Sequence, residues 1–279
     1  MIGSHWLRKK ARIALNMIRS PSIIRANNIE IYMDNLRYKH GIEIGGPSSI
    51  FNERGILPIY PVLGSLDGCN YSNETIWEGK LKEGWTYKYQ EDKKPGYQYI
   101  CEAVDLRPVC PETYDFVLSS HSIEHIANPL KAISEWKRIL KNGGLLLLVV
   151  PHKDKTFDHN RPVTSLNHLV DDLENDVGDD DLTHLPEILE LHDLRQSPEV
   201  GDYASFKKRS KDNYLNRCLH QHVFDTKLVL DMVKYMNLTI ITFDFVPPYH
   251  IIVLAKYERL MPGLICMQND LRTLNAKAR

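Results

Sequence analysis

Glu43, separated by one residue from the pair Gly45–Gly46 in GIEIGGPSSI (residues 41–50), is the first side chain of this sequence placed to do chemistry. Glycines let a ligand lie against the backbone. Pro47 removes one N–H donor from the turn, and Ser48 or Ser49 can cap a short helix over Ile50 to Arg54 whose free N–H groups attract a carboxylate or phosphate. Asp67 ends an apolar stretch from Leu57 to Leu66, about twenty residues after the glycines, the spacing at which an acid accepts hydrogen bonds from a ribose diol. Both acids have a plainer alternative, Glu43 as a buried acid satisfied by loop N–H groups and Asp67 as an ordinary turn aspartate. Histidine, the natural base near neutral pH, occurs twelve times. His159 lies in TFDHNRP, where Asp158 and Arg161 can orient it; His220 and His222 alternate in CLHQHVF; His121 follows Ser119 and Ser120 at the end of an apolar run, and His152 follows another. As proton acceptor, His159 is the first choice, with His222 and His121 after it.

These groups need elements to carry them. Gly41 to Ile44 reads as a buried strand and Leu57 to Leu66 as a second; Tyr97 to Cys101 is a third, followed by Glu102, Ala103, Val104, Asp105 and Leu106. YDFVL, Tyr114 to Leu118, is a fourth strand. A helix follows, capped by Asn128 with Pro129 in its first turn, buried along Leu130, Ile133, Trp136 or Lys137, and Leu140, and stopped by Asn142, Gly143 and Gly144. LLLLVV, Leu145 to Val150, has the all-apolar character of a strand covered on both faces. Residues 68–96 read as an excursion from the sheet, and residues 152–222 as a polar, histidine-rich insertion with helical pieces. A helix capped by Asp225 and two strands joined at Pro247, Pro248 and Tyr249 complete the pattern.

The order of these elements, with EIGGPSS, Asp67, ICEAVDL (Ile100 to Leu106) and YDFVLSSHSIEHIANPLKAISEWKRILKNGGLLLLVVP, resembles the class I S-adenosylmethionine-dependent methyltransferases. More narrowly it is similar to bacterial members found among polysaccharide-modification enzymes. The resemblance implies an α/β fold: a Rossmann-like, seven-stranded, mostly parallel sheet with helices on both faces, an antiparallel last strand and a polar insertion after the fifth strand. It divides the chain into an N-terminal helical segment (1–38), a cofactor-binding half (39–151), an insertion or lid (152–222), a completion of the sheet (223–258) and a tail (259–279). The implied cofactor is S-adenosylmethionine. Glu43, Gly45, Gly46, Pro47 and Ser48 would meet its methionyl end, Asp67 its ribose, Glu102 or Asp105 with Ala103 its adenine, and Ser119, Ser120 and His121 would lie near the sulfonium. The expected acceptor is a small molecule or carbohydrate bearing a hydroxyl. A methyltransferase-like scaffold without catalysis is the alternative.

Composition narrows the setting. Lys plus Arg (35) nearly balance Asp plus Glu (36), so no nucleic-acid partner is expected. The five cysteines show no metal-ligand spacing, which suits a reducing, cytoplasmic compartment. Trp6 to Ser20 is basic and amphipathic without the apolar centre of a signal peptide; it is expected to pack on the domain, resting on a membrane surface being the alternative. Asp180, Asp181, His184, Glu187, His192 and Asp193 include ligand types for a divalent ion, but such blocks are commonly solvated loops and no metal is expected.

Overall fold

The computed structural model describes residues 24–259; the helix expected at Trp6 to Ser20 and the tail from Met261 onward lie outside the described residues. Helix α1 (Ile29–Leu36) leads into β1 (His40–Ile44), and β2 (Ser65–Asn70) follows after two single 3-10 turns. A small ribbon of β3 (Glu74–Thr75) and β4 (Gly79–Lys80) precedes β5 (Gly84–Tyr87) and β6 (Gly96–Ile100). Then come β7 (Tyr114–Ser120), α2 (Pro129–Ile139) and β8 (Leu140–Pro151). Residues 152–222 hold α3 (Leu166–Glu174), α4 (Leu185–Leu191), α5 (Tyr203–Lys211) and α6 (Asn213–Asn216), and the chain closes with α7 (Thr226–Tyr235), β9 (Leu238–Val246) and β10 (His250–Tyr257).

The main sheet runs in the order β5-β6-β2-β1-β7-β8-β10-β9. From β6 to β8 the neighbours are parallel, whereas β10 is antiparallel to both β8 and β9. The sheet has eight strands rather than seven, because β5 adds an antiparallel edge beside β6 from within the expected excursion.

Each face buries its own apolar layer. On one, α2 and α7 press Leu130, Ile133, Trp136, Val229, Met232 and Val233 against Ile42, Val117, Leu146 and Leu148. Asn128 caps α2 by accepting from the Lys131 N–H at 3.0 Å, and Asp225 caps α7 by accepting from Leu228 at 2.7 Å. The other face is covered by Tyr32 and Leu36 of α1 and by Phe51, Leu57, Ile59, Tyr60 and Leu63 of the β1–β2 connection. Residues 152–222 carry a separate small cluster, Ile188, Val200, Phe206 and Leu219.

Two local expectations are corrected. Leu57 to Val62 is not strand: Pro58 and Pro61 cannot donate to a ladder, so the stretch turns at Tyr60–Val62 and β2 starts only after Gly64. Instead of a helix over Ile50 to Arg54 there is one 3-10 turn, Ser49–Phe51, capped by the Ser48 hydroxyl at 3.3 Å from the Ile50 nitrogen.

Candidate active site

The carboxyl ends of β1, β2, β6 and β7 open onto a cavity of about 490 Å³, where open α/β sheets bind ligands. Gly45, Pro47, Ser48, Asn70, Glu102, Ala103, Ser120 and His121 line it from the sheet side, and Phe157, Asp179, Arg217 and His220 from residues 152–222. Gly45 adopts φ +78°, and a Cβ there would stand 2.3 Å from the Ser122 hydroxyl, which itself donates to the Ile44 carbonyl at 3.0 Å. Ser48 donates to the Ser120 hydroxyl at 3.1 Å, joining the first loop to the end of β7.

Seven of the residues expected at the site are off this wall. Glu43 is fully buried behind the loop, accepting from the Tyr60 hydroxyl at 2.5 Å, the Tyr87 hydroxyl at 2.6 Å and the Ser48 N–H at 3.1 Å. Burial pushes its carboxyl up to about 7, an effect the three donors offset only in part. Gly46 is buried and its carbonyl accepts from the Asn70 amide at 3.3 Å. Asp67 lies within β2, opposite Ile42, held by the Tyr97 N–H at 2.7 Å and the Tyr114 hydroxyl at 2.8 Å. The residue at the end of β2 is Asn70, three positions later, because the strand begins after the prolines. Asp105 turns outward to Arg107, 2.8 Å away, and Ser119 is buried within the sheet.

Two of the three histidines chosen as base also lie away from this wall. His159 is anchored outside the cavity, with Nδ1 3.0 Å from the Thr156 carbonyl and Nε2 3.7 Å from Asp193. His222 is buried, its Nε2 3.0 Å from the Ala127 carbonyl. His121 does reach the cavity, in a left-handed conformation at φ 50°, its Nε2 2.9 Å from His250 Nδ1. Burial, reinforced by His121, pushes His250 down to about 4.

His220 is the histidine that Asp158 and Arg161 orient. Its Nδ1 lies 2.5 Å from Asp158 Oδ2, while Arg161 donates to Asp158 Oδ1 at 3.0 Å and to the His220 carbonyl at 2.8 Å. Burial alone would raise the Asp158 carboxyl, but His220 and Arg161 hold it at about 2. An ionised Asp158 only accepts, so Nδ1 carries the proton of this contact, and Nε2 is the ring nitrogen that Asp158 leaves free in a residue that lines the cavity. His125 stands beside it, ring centroids 4.7 Å apart, pushed down to about 4 by burial and by His220. Glu124 is buried with one oxygen unpaired; burial opposes its ionisation, yet the His121 hydrogen bond and nearby imidazoles keep its carboxyl below the usual range.

His125, His220, Arg217, Phe157 and Asn70 were not preferred from sequence. A strand start placed after Gly64 would have found Asn70; nothing local in the sequence points to Arg217.

Residues 66–148 match the family model described as a methyltransferase domain. This stretch is a methyltransferase domain. The fold is the Rossmann-like methyltransferase fold, and S-adenosylmethionine is the cofactor that the domain implies. An uncharacterized protein of Methanocaldococcus jannaschii is 46% identical over 55 residues, 20% of this chain; the chain spans about a quarter (24%) of that relative's length. Among solved structures, a methyltransferase of Methanosarcina mazei covers 82% of this chain and 98% of its own at 14% identity and TM-score 0.46. One from Mesorhizobium loti covers 82% and 95% at 11% identity and TM-score 0.46. The strand order, rather than these likenesses, carries the assignment of the fold.

The wall suits the implied cofactor in its donors and acceptors. Asn70 Oδ1 is buried at the end of β2 with no partner, where a sugar hydroxyl would satisfy it. Glu102 beside the apolar Ala103, Val104 and Ile126 offers an acceptor for an exocyclic amine next to a surface for a flat ring. Among the described residues no helix is long and apolar enough to cross a membrane.

Proposed function

We propose that this chain methylates a hydroxyl oxygen of a small or carbohydrate acceptor, with His220 as the base. The observation that carries the reading is His220 on the cavity wall with its Nδ1 locked by Asp158. S-adenosylmethionine supplies an electrophilic methyl group on a sulfonium sulfur. Asn70 would hold the ribose, Glu102 and Ala103 the adenine, and Gly45, Pro47 and Ser48 the methionyl end. Attack of the acceptor oxygen on that methyl carbon would break the carbon–sulfur bond and release S-adenosylhomocysteine; His220 would take up the hydroxyl proton at Nε2, and the adjacent Asp158 carboxylate would stabilise the positive charge on the imidazole. Phe157, Asp179, Arg217 and His220 make residues 152–222 an acceptor-binding lid over the cofactor. A cytoplasmic role in polysaccharide modification extends the same reading.

Calorimetry with S-adenosylhomocysteine, followed by a methyl-transfer assay over sugars and small hydroxylated acceptors, tests the proposal. His220→Asn is expected to retain product binding while turnover falls by roughly 10²–10⁴-fold. No cofactor binding would sink the cofactor reading; binding without turnover across the panel would favour a non-catalytic scaffold, which the single 3-10 turn in place of a helix after the glycine loop also suits.

A further inference from the structure

We propose that His168, His184, His222 and Asp172 form a binding site for one zinc-like divalent ion, separate from the methyl-transfer cavity. The four side chains come from α3, from the residue preceding α4 and from the segment leading into α7. One ring nitrogen of each histidine lies within 4.8 Å of one on each of the others. His168 Nε2 and His184 Nε2 are 3.0 Å apart, and Asp172 Oδ2 stands 3.5 Å from His168 Nε2 and 3.6 Å from His222 Nε2. Ligand atoms of tetrahedral zinc are about 3.3 Å apart, so the His168, His184 and Asp172 atoms are already near that spacing, with a ring nitrogen of His222 within 4.8 Å of those of His168 and His184.

Hydrogen bonding within the protein leaves the group incomplete. The Nε2–H of His222 meets the Ala127 carbonyl at 3.0 Å, which leaves Nδ1 with a lone pair that is buried and has no partner. Asp172 Oδ2 is likewise buried without a hydrogen bond. Orphaned buried acceptors are uncommon in native proteins, and a cation would convert both into ligands. The backbone that carries two of the ligands is fixed: the Asn128 amide donates to the Asp172 main-chain carbonyl at 2.8 Å, and the Ser165 hydroxyl caps α3 by accepting from the His168 main-chain N–H at 3.1 Å. Three imidazoles with a carboxylate suit Zn(II) better than Mg(II) or Ca(II), which favour oxygen ligands. A bound ion would tie α3 and α4 to His222, two residues beyond the base His220, and so steady the lid.

Metal analysis and calorimetry on the full chain, prepared free of metal and titrated with zinc sulfate, decide the matter. Wild type is expected to take up about one zinc ion per chain and to gain thermal stability on doing so, and cobalt in its place should show the intense visible absorption of a tetrahedral site. His168→Ala and His184→Ala, both partly exposed positions, should fold by circular dichroism and bind zinc more than about tenfold more weakly. His220→Asn should keep the ion, which separates this site from the cavity group of Glu124, His125 and His220. No zinc uptake by wild type, uptake unchanged in both alanine variants, or loss only in His220→Asn would each overturn the assignment. None of these readouts depends on methyl transfer.

Discussion

At the scale of single residues, Asp158 shows how sequence neighbours and spatial partners part company. The TFDHNRP run places His159 next to Asp158 and Arg161, yet the carboxylate reaches across to His220 and His159 turns to Asp193. The residue types of an oriented base were therefore readable in the sequence, but their pairing was fixed by a fold contact sixty-two positions apart. His159→Ala is accordingly expected to leave turnover near wild type, while Asp158→Asn, which allows the wrong His220 tautomer, should give rates between wild type and His220→Asn with cofactor binding retained. Equal loss in the His159 and Asp158 variants would refute this pairing. Glu43 makes a different prediction. Its folded carboxyl at about 7 lies above its unfolded value near 4.5, so the native state holds the proton more tightly and stability must fall as pH rises from about 4.5 to about 7. The loss is on the order of 3 kcal/mol and is constant above that window. Glu43→Gln should flatten the slope. Thermal midpoints of the two proteins between pH 5 and 8 give the answer, and parallel curves would contradict it.

At the scale of elements, apolar runs located the strands that are buried on both faces, β7 and β8, because burial leaves no polar alternation to misread. The β1–β2 connection deceived for a related reason. Leu57, Ile59, Tyr60 and Leu63 are as apolar as a strand, but they cover the sheet rather than join it, and only the two prolines mark the difference. The displaced boundary put Asp67, rather than Asn70, at the expected end of the strand. The β5 edge was hidden because Gly84 and Trp85 sit in a polar stretch; its role becomes visible only where Tyr87 folds over Gly68 to reach Glu43. A Cβ at position 68 would stand 2.1 Å from the Tyr87 ring. Gly68→Ala should therefore expel that ring, loosen β5 and remove one donor from the buried carboxylate, costing roughly 1–3 kcal/mol. Tyr87→Phe removes the hydroxyl alone and should cost less than the ring's expulsion. Denaturant unfolding of the pair tests the order, and a Gly68→Ala protein as stable as wild type would show that Tyr87 is not pinned there.

At the scale of the whole molecule, the cavity is a joint product of the sheet edge and of residues 152–222, and Arg217 is where the two are fastened. Its guanidinium, 7% exposed for the residue as a whole, donates to Glu102 Oε1 at 2.7 Å and stands 2.8 Å from Asp179 without hydrogen-bond alignment. It also lies over the rings of Tyr71 and Tyr214, at 5.4 and 5.1 Å from their centroids. One side chain thus spans the rim from the end of β6 to the helical insertion, at the point where the cofactor's adenine would approach Glu102. Arg217→Met keeps the length and apolar stem but removes the charge. It frees the Glu102 carboxylate from its partner and lets the segment from α5 to His220 lift away. The expected result is S-adenosylhomocysteine binding weaker by about tenfold or more, the size of one charge-assisted hydrogen bond. Faster amide exchange in residues 203–222 should accompany it, with the exchange of β7 and β8 unchanged. Weakened binding with no change in exchange would reduce Arg217 to a local partner of Glu102; unchanged binding with faster exchange would mean that the lid and the cofactor pocket close independently.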